Sequence, residues 1–133
     1  MALMRQLNPD DRPEPENEKK TFNRILTNSD LALLVAEHTD SFVGSCYLNL
    51  IPNITRGGKP YALIENVITD KRFRNRGAGK ALVDHALQMA RERGCYKIML
   101  MSGRGDDAVH SFYRRCGFDD TEKRAYILRP LIQ

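Results

Sequence analysis

A mixed α+β fold follows from three features of this 133-residue sequence. Two apolar runs, Leu31 to Ala36 and Phe42 to Ile51, are separated by His38-Thr39-Asp40, the pattern of an antiparallel hairpin. A third apolar run, Tyr61 to Thr69, leads into the basic glycine-containing stretch Arg74-Asn75-Arg76-Gly77-Ala78-Gly79-Lys80. An amphipathic run, Ala81 to Arg93, leads out of it, and a further apolar stretch follows Gly94.

Met1 to Leu7 reads as the last turns of a helix, broken by the prolines and Asx residues of Asn8 to Pro15. A charged helix is expected from Glu16 to Thr27, with Phe22, Ile25 and Leu26 on its buried face. The hairpin strands follow, then a loop from Pro52 to Lys59 whose Gly57-Gly58 pair permits a tight reversal. Tyr61 to Thr69 is the central strand. The helix behind it spans Gly77 to Arg93, with Ala78, Leu82, Ala86 and Met89 on one face and Asp84, Gln88 and Arg91 outward. Gly94 stops this helix, and Tyr96 to Met101 is the next strand. A short helix from Ala108 to Cys116 ends at Gly117, and Arg124 to Leu131 is expected to be the last strand.

Strand, basic glycine-rich turn and helix together form a device for holding a phosphate. The glycines let the backbone approach an anion, and the first helical amides lack intrahelical partners. Those amides and the positive end of the helix dipole face the ligand, while the arginines and Lys80 add full charges. A nucleotide P-loop is excluded, because Ala81 follows Lys80 where Ser or Thr is needed, and Arg74 stands where its first glycine belongs. A dinucleotide fingerprint is excluded as well, since Leu82 occupies the position of the third glycine.

The remaining pattern, R-x-x-G-x-G, resembles the pyrophosphate-binding turn of the GNAT superfamily of CoA-dependent N-acyltransferases. Ser111-Phe112-Tyr113-Arg114-Arg115-Cys116-Gly117-Phe118 is similar to that family's second signature, a helix ending F-Y-x-x-x-G-F. The resemblance covers about half the chain, Tyr61 to Pro130. It implies a three-layer fold with a mostly antiparallel twisted sheet flanked by helices, and acetyl-CoA as cosubstrate. It also implies that a first strand and most of the first helix stand ahead of Met1, which would make this single acyltransferase domain short at its amino terminus and leave an exposed sheet edge.

N-acetyl transfer by direct attack in a ternary complex needs a base for the amine and an acid for the departing thiolate. Glu65, a carboxylate amid an apolar strand, is the candidate base, because such a residue is costly there without a reason. Its alternatives are a place facing a solvated cleft or an ion pair with an arginine such as Arg56. Tyr113, which the resemblance places near the CoA sulfur, is the candidate acid; a phenol stays protonated at neutral pH. Its alternative is core packing beside Phe112. The resemblance assigns the cofactor to the backbone of Asn66, Val67 and Ile68, to Arg74, Asn75, Arg76, Gly77, Ala78, Gly79 and Lys80, and to Asp106 and Phe112. Asp106 and Asp107 stand where the family often has Asn, so a helix-capping role competes with cofactor contact there. Arg56, Tyr61 and Arg104 are candidates for binding the substrate, with Lys59, Lys123 and Arg124 adding to a pocket selective for an anion. Further likeness to glucosamine-6-phosphate N-acetyltransferases lies in Glu65-Asn66-Val67, although those enzymes carry an acidic residue where Asn66 stands. A non-catalytic acyl-CoA sensor and a protein or peptide acetyltransferase are the competing readings.

Composition bounds the rest. The net charge of +4 is concentrated in Lys71 to Lys80, where CoA phosphates account for it, and aromatics interleaved with bases are absent there, which argues against nucleic acid. No apolar run reaches the roughly 20 residues of a membrane span. Three cysteines and three scattered histidines match neither a disulfide frame nor metal-ligand spacing, so no metal and a cytoplasmic setting are expected. The expected partner is a small-molecule amine; the sequence leaves homodimerisation open.

Overall fold

The hairpin, the central strand and the helix behind it form where the sequence puts them. The computed structural model describes residues 2–103 and 105–130. Elements run α1 (Met4–Leu7), α2 (Pro15–Leu26), β1 (Leu31–His38), β2 (Ser41–Ile51), α3 (Thr55–Gly58), β3 (Tyr61–Thr69), a 3-10 turn (Lys71–Phe73), α4 (Ala78–Glu92), β4 (Ile98–Leu100) and α5 (Asp107–Arg115). Two compact units meet in sequence at Leu100 and Met101.

The first unit is a four-stranded sheet in the order β1-β2-β3-β4. The first two pairings are antiparallel and β3–β4 is parallel. The hairpin turn is tight because Thr39 and Asp40 both adopt left-handed backbone (φ 47° and 59°), the mirror-image turn that matches strand twist. One sheet face packs on α4, which buries Leu82, Val83, Ala86, Leu87 and Ala90. These pack with Cys46, Leu48, Ala62 and Ile64, all buried, to form the core. Gly44 is required at this seam, because a Cβ there would lie 2.8 Å from Leu82 Cδ1 and 3.1 Å from the Ile68 carbonyl. Helix α4 ends as expected at Gly94 (φ 74°), where the Gly94 and Cys95 amides donate to the Arg91 and Ala90 carbonyls.

Several expectations need correction. Helix α2 forms but buries nothing; Phe22 and Leu26 are exposed and Ile25 is half-buried. Its charged sequence carries too narrow an apolar stripe to enter a core. The loop after β2 contains a kinked turn, α3, with Arg56, Gly57 and Gly58 all at positive φ. Strand β4 pairs only over Ile98–Leu100, shorter than the expected Tyr96 to Met101. Residues 124–130 form no strand, and Tyr126, Ile127 and Leu128 are exposed. A β-pattern becomes a strand only by pairing, and this segment has no ladder partner among the described residues. Leu131 lies outside them.

The second unit holds α5. Asp106 caps its start, accepting from the Ala108 and Val109 amides at 3.0 and 3.3 Å. Gly117 (φ 97°) closes its end.

Candidate functional site

The site grows from an irregularity in β3. Tyr47 stands opposite Glu65, yet Ser45 stands opposite Ile68, so β3 carries one extra residue there. The bulge is centred on Asn66, whose φ of 52° is left-handed. Asn tolerates this conformation, which a β-branched residue resists. On its other edge, β3 pairs with β4 only from Ala62 to Ile64. Beyond Ile64, Glu65 to Thr69 have no strand on that side among the described residues. The bulge and the loss of pairing coincide, leaving main-chain groups of Asn66, Val67 and Ile68 in position to hydrogen-bond an extended chain.

Strand β3 then delivers the basic turn. Buried Asp70 caps the 3-10 turn, accepting from the Arg72 amide at 2.9 Å and from its Nε and guanidinium nitrogen at 3.1 and 2.9 Å. These bonds and the Arg72 charge hold the Asp70 carboxyl far below the ordinary carboxylate range. Gln6 of α1 accepts from the Lys71 amide at 3.1 Å, tying the amino-terminal helix to the same turn. Arg72 and Arg76 flank the Phe73 ring, 5.7 and 5.6 Å from its centre. Arg74 Nε donates to the Thr69 carbonyl at 3.3 Å. Asn75 (φ 60°) and Gly77 (φ 87°) reverse the chain into α4. Gly77 offers no side-chain cap, and the first intrahelical bond runs from the Ala81 amide to the Gly77 carbonyl. The dipole's positive end therefore opens toward Arg74 and Arg76. Lys80 pairs with Asp84 one turn along.

Glu65 is half-buried, and the ion pair with Arg56 weighed for it does not form. Arg56 and Tyr61 come together elsewhere, at the opposite end of β3 from the basic turn. Tyr61 packs edge-on against Tyr96 at 6.3 Å, and Arg56 lies 5.8 Å over the Tyr96 ring. Lys97 stacks at 4.8 Å over Tyr61 and 5.4 Å over Tyr96. Arg104 lies outside the described residues. Lys123 and Arg124 belong to the second unit, beside Asp120 and Glu122 in an open groove.

Tyr113 sits on α5 between Phe112 (5.1 Å) and Phe118 (6.2 Å). Its position is set by the helix end: the Phe118 amide donates to the Tyr113 carbonyl and the Gly117 amide to Arg114. Cys46 is buried, which pushes its thiol up to about 11 and leaves it inert as a nucleophile. Burial raises the Cys95 thiol too. Among the described residues no cluster of three His, Cys, Asp or Glu side chains is placed to hold a metal, and no helix is long and apolar enough to cross a membrane.

One feature escaped sequence reasoning. A cleft of about 170 Å³ lies between α1, α2 and the sheet, with Asn66 and Tyr47 in its lining. No local motif signals it, because its walls come from four separate segments.

A mixed sheet whose central strand parts from its neighbour and feeds a basic turn at a helix start is the arrangement of an acyltransferase fold. The chain belongs to the Acetyltransferase (GNAT) family, which it matches over residues 1–118. Acetyl-CoA is that family's cosubstrate. The chain is 37% identical over 86 residues to a glucosamine 6-phosphate N-acetyltransferase of Trypanosoma brucei brucei, covering 65% of this chain and 56% of that protein. It thus spans little more than half of that relative's length. It is 25% identical over 122 residues to an aminoglycoside N(6')-acetyltransferase of Stenotrophomonas maltophilia, covering 90% of this chain and 80% of the relative. A provisionally named acetyltransferase from Agrobacterium tumefaciens strain C58 superposes with a TM-score of 0.90 at 38% identity, covering 96% and 90% of the two chains.

Proposed function

We propose that this chain transfers an acetyl group from acetyl-CoA to a small primary amine by direct attack in a ternary complex. The observation that carries the reading is the coincidence on one strand of three things: the bulge at Asn66, the end of pairing with β4 beyond Ile64, and the basic turn at the α4 start. The pantetheine arm hydrogen-bonds Asn66, Val67 and Ile68 as an added strand. The pyrophosphate rests on Arg74, Asn75, Arg76 and the backbone from Gly77 to Lys80. The family resemblance assigns Asp106, already engaged as a helix cap, and Phe112 to the cofactor as well.

In the reaction the neutral amine nitrogen bonds to the thioester carbonyl carbon, and the carbon–sulfur bond breaks. Glu65 accepts the proton the amine loses, directly or through water. Tyr113 donates its phenolic proton to the departing thiolate, and solvent restores both groups. No covalent enzyme intermediate is required, consistent with a buried Cys46. The non-catalytic sensor reading would leave a carboxylate in the apolar run of β3 without work to do.

Calorimetric titration with acetyl-CoA, with dephospho-CoA as comparison, tests the cofactor, and CoA release on adding amines tests transfer. Glu65→Gln should lower kcat by about 10²–10⁴-fold. Tyr113→Phe should lower kcat more than it weakens acetyl-CoA binding. Full turnover by Glu65→Gln across pH would remove Glu65 from the mechanism, and binding without turnover on any amine would favour the sensor.

A further inference from the structure

We infer that the end of the sheet remote from the basic turn docks an acidic polypeptide segment, held by its carboxylates on Arg56 and Lys97 and by an apolar side chain on Ile54. The inference concerns a partner rather than a substrate, and it stands apart from the acetyltransferase reading.

Local bonds hold this surface in shape. Where β3 begins, the Tyr96 amide donates to the Pro60 carbonyl and the Ala62 amide to the Lys97 carbonyl, both at 3.0 Å. These bonds set Tyr61 and Tyr96 beside each other, edge-on at 6.3 Å. The preceding loop closes around Asn53, whose side-chain nitrogen donates to the Thr55 and Lys59 carbonyls at 2.8 and 3.3 Å. Within that loop Arg56 keeps a left-handed φ of 59°, a costly conformation for a residue with a Cβ. Such a conformation persists only where its surroundings fix it. The outcome is a guanidinium 5.8 Å over the Tyr96 ring, with Lys97 Nζ 5.4 Å from the same centre.

Two cations are thus gathered about one ring, and charge says what is missing. The ring faces attract each cation, but no carboxylate does. Among the described residues neither Arg56, Lys59 nor Lys97 forms an ion pair. Glu92, the carboxylate nearest Tyr96 in sequence, accepts instead from Gln88 at 2.9 Å. A carboxylate from outside completes the set. Ile54, two residues before Arg56, is 96% exposed, more than any other large apolar side chain among the described residues. A single exposed isoleucine is ordinary. Beside tyrosine and arginine, the residues that dominate binding hot spots, it supplies the apolar contact of an interface. Nucleic acid suits the surface less well, because a stacking base needs an open ring face and each tyrosine already carries a cation. Tyr61 stands about 16 Å along the extended strand from Asn66, so the partner leaves the basic turn clear.

The experiment titrates a fluorescent glutamate-rich peptide carrying two leucines, read by anisotropy, with thermal melts confirming that each variant is folded. Arg56→Gln and Lys97→Gln should each weaken binding about fivefold or more, and Ile54→Ser should weaken it as well. Joint replacement of Lys19 and Lys20, exposed on α2, by Gln removes two charges elsewhere and should change the affinity less than about twofold. Arg74→Ala, in the basic turn, should bind the peptide like wild type. Three results would each overturn the inference: no saturable binding by wild type, equal losses in all the basic variants, or a loss in Arg74→Ala matching that in Arg56→Gln. Tighter binding of oligothymidine than of the peptide, lost in Arg56→Gln, would overturn it too and make the partner a nucleic acid. None of these readouts depends on CoA release, so failure here leaves the transferase reading intact.

Discussion

Replacing Asn66 in two opposite ways separates the shape of β3 from its chemistry. Asn66 holds φ at 52° inside a strand, where the bulge diverts the ladder between Tyr47–Glu65 and Ser45–Ile68. A β-branched side chain in left-handed backbone costs about 1–2 kcal/mol. Asn66→Val must therefore bear that strain or flatten the bulge and push Val67 and Ile68 into the wrong register. For a chain of this size, 1 kcal/mol moves the melting temperature by about 4 °C, so the loss should be about 4–8 °C. Glycine adopts the same φ freely, and Asn66→Gly should melt within about 2 °C of wild type. Acetyl-CoA affinity should follow shape: reduced about tenfold or more in Asn66→Val, and within about threefold of wild type in Asn66→Gly. Amine KM should follow chemistry, rising in both variants, because the side chain lining the cleft is gone in each. Thermal unfolding, acetyl-CoA calorimetry and initial rates read the three quantities. If Asn66→Val melts and binds like wild type, the left-handed residue does not set the bulge, and the argument that the bulge frees the strand edge for the cofactor fails.

The other predictions concern stability and the anion site. The Asp70 carboxyl titrates below its ordinary value because Arg72 stabilises its charged form. Its contribution is therefore complete above about pH 4 and is lost as pH falls toward the folded-state value. Asp70→Asn should flatten the acid limb of stability against pH, and an unchanged limb would remove Asp70 as its source. Gly44→Ala places a methyl 2.8 Å from Leu82 Cδ1 and 3.1 Å from the Ile68 carbonyl. It should cost about 1–3 kcal/mol by chemical denaturation, since Leu82 is itself buried and cannot swing aside. Arg74→Ala should weaken acetyl-CoA about tenfold by calorimetry, with the wild-type affinity falling as salt rises. An affinity indifferent to both would place the phosphates elsewhere.

Where one segment could announce its own structure, the sequence was legible. The β3 strand, the turn to Lys80 and helix α4 were read correctly because alternation, glycine punctuation and helical periodicity act over neighbouring residues. The exposed α2 and the unpaired 124–130 segment were misread because burial and pairing depend on partners that local pattern does not reveal. Asn66 was named for its backbone, but nothing in Glu65-Asn66-Val67 announced a bulge; an Asn within a strand is the only hint, as one of few residues that tolerate left-handed backbone. The cleft was illegible for a different reason. Met4, Asp11, Glu18, Tyr47 and Asn66 converge only after the hairpin and β3 have paired and the amino-terminal helices have settled on the sheet.

The second signature shows how structure redistributes the weight of a motif. In F-Y-x-x-x-G-F, Gly117 supplies the positive φ that ends α5, and the Phe118 amide reaches back five residues to the Tyr113 carbonyl. The Phe118 ring then packs edge-on against Tyr113 at 6.2 Å. That set of bonds and the accompanying apolar contact is the general way a helix closes with glycine. Helix termination therefore accounts for the spacing from Tyr113 to Phe118 without reference to any reaction. The backbone bonds and ring contact that close the helix do not involve the hydroxyl, so Tyr113→Phe should keep the helix end. If the phenol donates the proton to the departing thiolate, that variant should lose kcat while acetyl-CoA binding measured by calorimetry changes little; equal losses in both would place Tyr113 in packing or binding instead.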